Sequence, residues 1–152
     1  MIFQKPTSPY PYEMCVPSAI LIHSPNEIPS SSEKVSSRYI YFGGFMEILV
    51  TPKVVEVEKS LVDVPLDLRQ CYFEGEMKLK KYKVYTQMNC IDECTLEQSV
   101  NACGCVYFST LRNSSTRICN QAIAYCVANV KSLISTRNKC SFCLPLCNQV
   151  SY

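Results

Sequence analysis

The chain has 152 residues, which is enough for one domain or for one domain and part of another. Hydrophobic residues make up 47% of it, so a real core is possible and the composition argues against wholesale disorder. The formal net charge of +2 gives no reason to expect nucleic acid or another polyanion as a partner.

The first 70 residues of the sequence favour β-structure. After an irregular, proline-interrupted start, the apolar run Ala19–His23 predicts a strand that ends at Ser24-Pro25. A loop rich in Pro and Ser is expected from Pro25 to Ser37. Two further strands are predicted, one at the apolar run Phe45–Val50 and one at Val54–Glu58, where apolar and acidic residues partly alternate.

Beyond Cys71 the sequence pattern becomes helical. No Gly or Pro interrupts residues 82–100, and this predicts a helix from about residue 83 to residue 101. Asn120 can cap a second helix that continues through about Ile134, because apolar residues recur at helical spacing after it.

The eleven cysteines indicate the compartment in which the protein folds. Ten of them lie between residues 71 and 147, a density typical of disulfide scaffolds, and the eleventh is Cys15. So many thiols would be a hazard in the reducing cytosol unless they bound metal. We therefore expect an oxidising environment, where Asn113-Ser114-Ser115 is an acceptor for N-glycosylation at Asn113.

Neither an export signal nor a membrane-spanning segment is visible in the sequence. The start, Met1–Met14, lacks the apolar run of about 7–15 residues that a signal peptide needs. No run of about 18 consecutive apolar residues occurs, so no transmembrane helix is expected. Because an oxidised chain without an export signal is otherwise a contradiction, we expect a fragment or an incomplete product of a larger gene.

The spacing of four cysteines constrains how helix and return segment meet. On a helix, Cys90 and Cys94 share one face and lie about 6 Å apart along the axis. In a regular strand, Cys140 and Cys143 would face opposite sides at about 10 Å. We therefore predict that Cys140–Cys147, which contains a proline, is extended but has a bulge or turn between Cys140 and Cys143.

Sequence alone does not choose a disulfide connectivity. A nested, antiparallel order suggests the pairs Cys71–Cys147, Cys90–Cys143, Cys94–Cys140, Cys103–Cys126 and Cys105–Cys119. Cys15 is then unpaired within this chain, and its partner is expected elsewhere. The alternative is a zinc site built from Cys140-x-x-Cys143 and Cys103-x-Cys105, although a four-cysteine ribbon usually has two C-x-x-C knuckles and this chain has one.

Short motifs occur in a fixed order along the chain. Ile20–Pro29 contains an apolar strand followed by H-S-P-x-E-x-P, and Arg69–Phe73 with Glu76 forms R-x-C-x-F-x-x-E. The cysteine motifs follow at Asn89–Cys94, Ala102–Cys105, Ile118-Cys119 and Cys143–Asn148. This ordered set resembles the degenerin/epithelial sodium channel family, and within it the insect pickpocket-type subunits.

The resemblance implies an α+β fold, with a partial β-sheet palm segment in residues 1–70 and a disulfide-rich two-helix thumb in residues 71–152. The thumb pairing of the family, carried to the matching positions, agrees with the nested order above. The family's subunits form trimers in the cell membrane, so homologous channel subunits are the expected partners. No cofactor, metal or nucleic acid is implied, and membrane contact would come from transmembrane helices that this chain does not contain.

The chain also departs from the family pattern. The pore helix and selectivity filter would follow Tyr152, so this chain alone is not expected to conduct ions. The family's thumb usually ends with C-x-C, where this chain has Cys140-x-x-Cys143. Acid-sensing members use carboxylates on the second thumb helix, whereas residues 119–147 contain no Asp or Glu, which argues against proton gating there.

No catalytic set can be assembled from this sequence, so we do not expect an enzyme. His23 is the single histidine, and neither Glu27 nor Glu76 has a partner at catalytic spacing. The function implied by the resemblance is the extracellular portion of an amiloride-sensitive, sodium-selective channel subunit gated by a ligand or by mechanical force. The alternatives are a secreted cysteine-rich binding protein and an intracellular zinc-binding module.

Overall fold

A computed structural model describes residues 18–27, 36–40, 45–108, 110–137 and 139–151. The fold is mixed α+β, as the sequence predicts. The elements are β1 (Ser18–Ile22), β2 (Ser36–Ile40), β3 (Lys53–Val55), a 3-10 helix (Lys59–Asp63), α1 (Leu66–Arg69), α2 (Gln87–Cys103), α3 (Gln121–Arg137) and β4 (Gln149–Ser151). None of the helices in the described ranges has the length and apolar character needed to cross a bilayer.

The strands form two small antiparallel sheets of two strands each in the described part of the chain. β1 pairs with β2 and confirms the strand predicted at Ala19–His23. β3 pairs with β4, which places Lys53 opposite Ser151. β2 was not predicted, because Ser-Ser-Arg-Tyr-Ile shows no apolar alternation, and its first two residues lie in the predicted loop. Its strand conformation follows from pairing with β1.

The strand predicted at Phe45–Val50 is wrong, since this segment has no regular secondary structure. Phe45 and Leu49 are 93% and 92% exposed, so these apolar side chains lack the packing on which strand preference depends. The strand predicted at Val54–Glu58 is shorter than expected and ends at Val55. Beyond it, Val57 N–H donates to Asn148 Oδ1 at 3.0 Å, and this side-chain contact takes the place of a ladder bond.

Helix α2 begins four residues later than predicted because Thr86 caps it. The Thr86 backbone is extended, and its Oγ1 accepts a hydrogen bond from Asn89 N–H at 3.1 Å. At the other end, Gly104 adopts a left-handed conformation with φ of 66°, and its N–H donates to Val100 O at 2.9 Å. The helix therefore continues through Cys103.

Helix α3 has the predicted cap. Asn120 Oδ1 accepts a hydrogen bond from Ile123 N–H at 3.1 Å, which confirms Asn120 as the residue before the helix. The helix runs to Arg137 instead of ending at Ile134, because no Gly or Pro follows Ile134 to stop it there.

The core of the described residues lies between α2, α3 and the return segment, defined here as residues 140–147. Two tyrosines, Tyr72 and Tyr85, pack edge to face within it, with ring centroids 5.4 Å apart. Val130 and Ile134 contribute the apolar side of α3. The other buried members are Cys90, Cys94, Cys140 and Cys143, so sulfur makes up much of the core.

The left-handed cap at Gly104 gives a first testable prediction. Gly104→Ala should lower the free energy of unfolding by about 1 kcal/mol, because an alanine is strained at positive φ. A Cβ at this position would meet nothing within 4 Å, so the cost comes from the backbone alone. Chemical denaturation with the disulfides intact measures the difference. Gly104→Asn is the matched control and should lose less, since Asn tolerates this conformation; an alanine variant as stable as the parent would contradict the prediction.

Candidate functional site

The structure joins ten cysteines in five disulfides. The bonded pairs are those that the nested order suggests: Cys71–Cys147, Cys90–Cys143, Cys94–Cys140, Cys103–Cys126 and Cys105–Cys119. The described cysteines are therefore all oxidised, which leaves none of these thiolates for the zinc site considered above, and no group of three metal-binding side chains occurs among the described residues. Cys15 lies outside the described residues.

Two of these bridges connect α2 to the return segment. Cys90 and Cys94 stand one helical turn apart on α2 and reach Cys143 and Cys140 respectively. The predicted turn is confirmed, because Cys143 N–H donates to Cys140 O at 3.0 Å. This turn brings Cys140 and Cys143 to the same side, which a regular strand could not do.

Tyrosine hydroxyls satisfy the backbone of the return segment. Tyr72 O–H donates to Phe142 O at 3.1 Å, and Tyr85 O–H donates to Leu144 O at 2.7 Å. Burial, with a smaller contribution from neighbouring Tyr72, raises the pKa of Tyr85 to about 12. The Tyr85 phenol therefore stays protonated and remains a donor throughout the physiological range.

The two ends of the cysteine-rich region pair with each other through their backbones. Tyr72 N–H donates to Pro145 O, and Cys147 N–H donates to Tyr72 O, both at 2.9 Å. The Cys71–Cys147 bridge lies beside this pair, and its Cα atoms are 5.0 Å apart. Residues 72 and 146 thus lie side by side, and the helix pair, defined here as α2 and α3, lies between them in sequence.

A second closed loop connects the two helices. Cys105–Cys119 closes it, and Val106, which is 1% exposed, donates its N–H to Arg117 O at 3.0 Å. Asn113, the predicted glycosylation site, is exposed in this loop. A glycan at Asn113 would therefore meet no steric obstacle from the core.

The R-x-C-x-F-x-x-E motif forms a compact ion-pair cluster. Arg69 Nη2 donates to both carboxylate oxygens of Glu76, at 2.6 and 2.5 Å, and the guanidinium lies 5.1 Å from the centre of the Phe73 ring. Phe73 N–H donates to the same carboxylate at 2.8 Å. The Arg69 hydrogen bond, then the Phe73 N–H, hold the pKa of Glu76 below its usual value.

Sequence reasoning missed this ion pair and treated Glu76 as a residue without a catalytic partner. The available signal was the pair of opposite charges that flanks the turn through Gly75, whose φ is 87°. The Arg69 side chain is 6% exposed, so the cluster fixes the approach of the chain to Cys71.

Glu93 anchors the segment that precedes α2. Its side chain is buried, and its two carboxylate oxygens accept hydrogen bonds from Lys80 N–H at 3.1 Å and Lys81 N–H at 2.8 Å. Lys80 Nζ also pairs with Glu97 at 2.9 Å, but both side chains are exposed and such a pair contributes little stability. The buried carboxylate, rather than the surface ion pair, fixes this segment.

His23 directly follows β1 and precedes the disulfide-linked helices in the chain. Its side chain is exposed, and Nδ1 lies 2.8 Å from Ser24 O. Together with Ser24 and Glu27 it belongs to a turn in which Glu27 N–H donates to Ser24 O at 3.1 Å. The described geometry gives His23 a local structural role and assembles no nucleophile and base around it.

The sequence of this chain matches a known protein family. Residues 4–152 match the model of the family described as "Amiloride-sensitive sodium channel". The chain belongs to the amiloride-sensitive sodium channel family. The resemblance to degenerin/epithelial sodium channels is thereby confirmed.

The relatives include pickpocket-type proteins, as the motifs predict. Pickpocket protein 11 of Drosophila melanogaster is 31% identical over 132 residues, which cover 84% of this chain and 25% of that protein. Pickpocket protein 28 of the same fly is 27% identical over 145 residues, covering 91% and 23%. Sodium channel protein Nach of Drosophila ananassae is 26% identical over 136 residues, covering 88% and 26%. The chain thus spans about a quarter of the length of these relatives.

The Arg69–Glu76 contact predicts how stability depends on pH. Because the pKa of Glu76 is lowered in the folded state, its stabilising effect is present above the ordinary carboxyl value of 4.5 and is lost as the pH falls through the lowered pKa. Glu76→Gln should therefore lower the Tm by a few degrees at about pH 7, and the difference from the parent should shrink towards about pH 3. Thermal unfolding followed by circular dichroism measures both.

Glu74→Gln, two residues away in the same turn, is the matched control for Glu76→Gln. It removes the same charge and should change the Tm and its pH dependence much less. A Glu76→Gln variant whose Tm differs from the parent by the same amount at both pH values would contradict the assigned role of the ion pair.

The sequence separation of the bridges predicts their relative contributions to stability. Cys71–Cys147 spans 76 residues and Cys105–Cys119 spans 14, but the neighbouring bridges Cys90–Cys143 and Cys103–Cys126 shorten the two loops that are closed to about 23 and about 9 residues, so by loop-closure entropy the first should contribute roughly 0.8 kcal/mol more. Chemical denaturation of the two paired Cys→Ala variants measures the difference. Peptide mapping of each variant must show the other four bridges intact. An equal loss, or a larger loss for the short loop, would contradict the prediction.

Proposed function

We propose that this chain is part of the extracellular region of a sodium channel subunit. The observation that carries the proposal is the five-disulfide helix pair, which occurs in a chain that belongs to the amiloride-sensitive sodium channel family over residues 4–152. Oxidised cysteines at this density are compatible with the outside of the cell and not with the cytosol. The proposed location of the parent protein is therefore the cell membrane, with this region on its outer side.

Within this proposal, residues 1–70 form a partial palm segment and residues 71–152 form a thumb. The proposed disulfides are the nested pairs, with Cys15 left for a partner outside them and a glycan on Asn113. The close approach of residues 72 and 146 supports the boundary near Cys71, because the cysteine-rich region leaves and rejoins the rest of the chain at one place.

The proposed activity is that of the whole parent protein. Homologous subunits, three in each channel, would surround an amiloride-sensitive, sodium-selective pore, and this region would respond to an extracellular ligand or to mechanical force. The names of the relatives, pickpocket proteins and sodium channel protein Nach, support a channel rather than an enzyme. The absence of Asp and Glu from residues 119–147 weighs against protons as the stimulus at α3.

A chimera tests the proposal. The segment of pickpocket protein 28 that aligns with this chain is replaced by the chain itself, and the chimera is expressed in oocytes beside the unmodified host. We expect surface expression and an amiloride-sensitive sodium current. The same chimera with Cys94→Ser and Cys140→Ser should lose most of that current, because the bridge between α2 and the return segment is removed.

Asn113→Gln provides the control for topology. A glycosidase-sensitive mass shift that this substitution abolishes would place residue 113 on the extracellular side, while the current should be unchanged. A chimera that reaches the surface and carries no current when the host does would overturn the proposed function.

A further inference from the structure

Asn89 connects two parts of the chain that are distant in sequence. Its side chain is 2% exposed in the first turn of α2, and Nδ2 donates to Asn26 O at 2.9 Å and to Val84 O at 3.1 Å. Asn26 belongs to the turn His23–Glu27, which follows β1 and lies 63 residues before Asn89. A single carboxamide thus reaches both the turn and the segment that leads into α2.

The chemistry of this contact requires a donor. Both partners are backbone carbonyl oxygens, so the Asn89 NH2 group must face them, and the reversed amide would place an oxygen against two oxygens. This orientation of the amide leaves the other end of the carboxamide unsatisfied, since Asn89 Oδ1 is buried without a hydrogen-bond partner. Leaving an acceptor buried and unpaired is unfavourable, so the two donated bonds must outweigh it.

The position of Asn89 on the helix separates this contact from helix formation. Thr86 caps α2, so Asn89 occupies the third helical position, where an acidic side chain is favoured by the helix dipole. Asp is close to Asn in size but, when ionised, cannot donate a hydrogen bond. Asn89→Asp, studied at a pH at which the introduced carboxyl is ionised, should therefore preserve α2 while replacing attraction to Asn26 O and Val84 O by repulsion.

We propose that Asn89 is a positioning residue that holds the His23–Glu27 turn against the first turn of α2, so that the β1–β2 hairpin and the helix pair move together. For a channel this contact would be a connection between the β-structure and the helices, and that consequence rests on the proposed function. The contact itself belongs to the chain and can be tested without any current.

Hydrogen exchange measured by mass spectrometry tests the proposal on the oxidised, full 152-residue chain. In Asn89→Asp, the amides of Asn26 and Glu27 should exchange roughly tenfold faster than in the parent, as expected for the loss of about 1.4 kcal/mol. The amides in the middle of α2 should keep their protection. Asn89→Ala, which removes the donor without adding charge, should show the same direction and decides the question if the Asp variant does not fold.

Asn26→Ala is the matched control. The acceptor on Asn26 is its backbone oxygen, so this substitution leaves the bond to Asn89 in place, and exchange at Glu27 should stay within about twofold of the parent. Turn amides that keep the parent's exchange rate in a folded Asn89 variant would overturn the proposal. So would equal acceleration by Asn26→Ala, because the turn would then depend on the Asn26 side chain rather than on Asn89.

Discussion

The covalent connection between α2 and the return segment is the constraint on which the rest of this structure depends. The apolar side chains of the core are few, and four cysteines occupy positions that Leu or Phe would fill in a larger domain. A small core gains little from burial alone, so restriction of the unfolded chain by disulfides must supply part of the stability. Two local features accompany this connection. The turn at Cys140 aligns two sulfurs with α2, and the tyrosine hydroxyls donate to carbonyls of the extended segment.

Buried polar side chains satisfy main-chain groups that the disulfides leave without hydrogen bonds. The disulfides fix distances, but they do not satisfy the backbone carbonyls of Phe142 and Leu144 in the return segment. The hydroxyls of Tyr72 and Tyr85 donate hydrogen bonds to this backbone. The Glu93 carboxylate likewise accepts hydrogen bonds from the two lysine amides that precede α2. Each of these side chains is buried and each pairs with main chain, so their identities are constrained by hydrogen bonding as well as by volume.

The sequence predicted the features that arise from local pattern. Asn120 was found as a cap because Asn before an apolar helical repeat has a specific chemistry, and the turn between Cys140 and Cys143 followed from the mismatch between helix and strand spacing. The start of α2 was placed four residues too early because the apolar pattern begins before Thr86, whereas the cap decides where the helix begins. Strand formation depends on a pairing partner and not on the composition of the segment alone. β2 forms a strand without an apolar pattern because it pairs with β1, whereas Phe45–Val50 has an apolar pattern and forms no strand. Pairings such as Arg69 with Glu76, or Asn89 with Asn26, depend on how the chain folds back on itself, and no periodicity encodes them.

The adjacency of Cys71 and Cys147 has a mechanical consequence. Their Cα atoms are 5.0 Å apart and covalently joined, and β4, which follows Cys147 closely, pairs with β3, which precedes Cys71 in the chain. Tension applied along the chain at residues 53 and 151 would therefore pass from one strand to the other through the ladder and the Cys71–Cys147 bond. It would bypass α2 and α3, which lie outside that load path. The helices can be moved by contacts on their own surfaces, while stretching of the backbone that carries them leaves their shape intact.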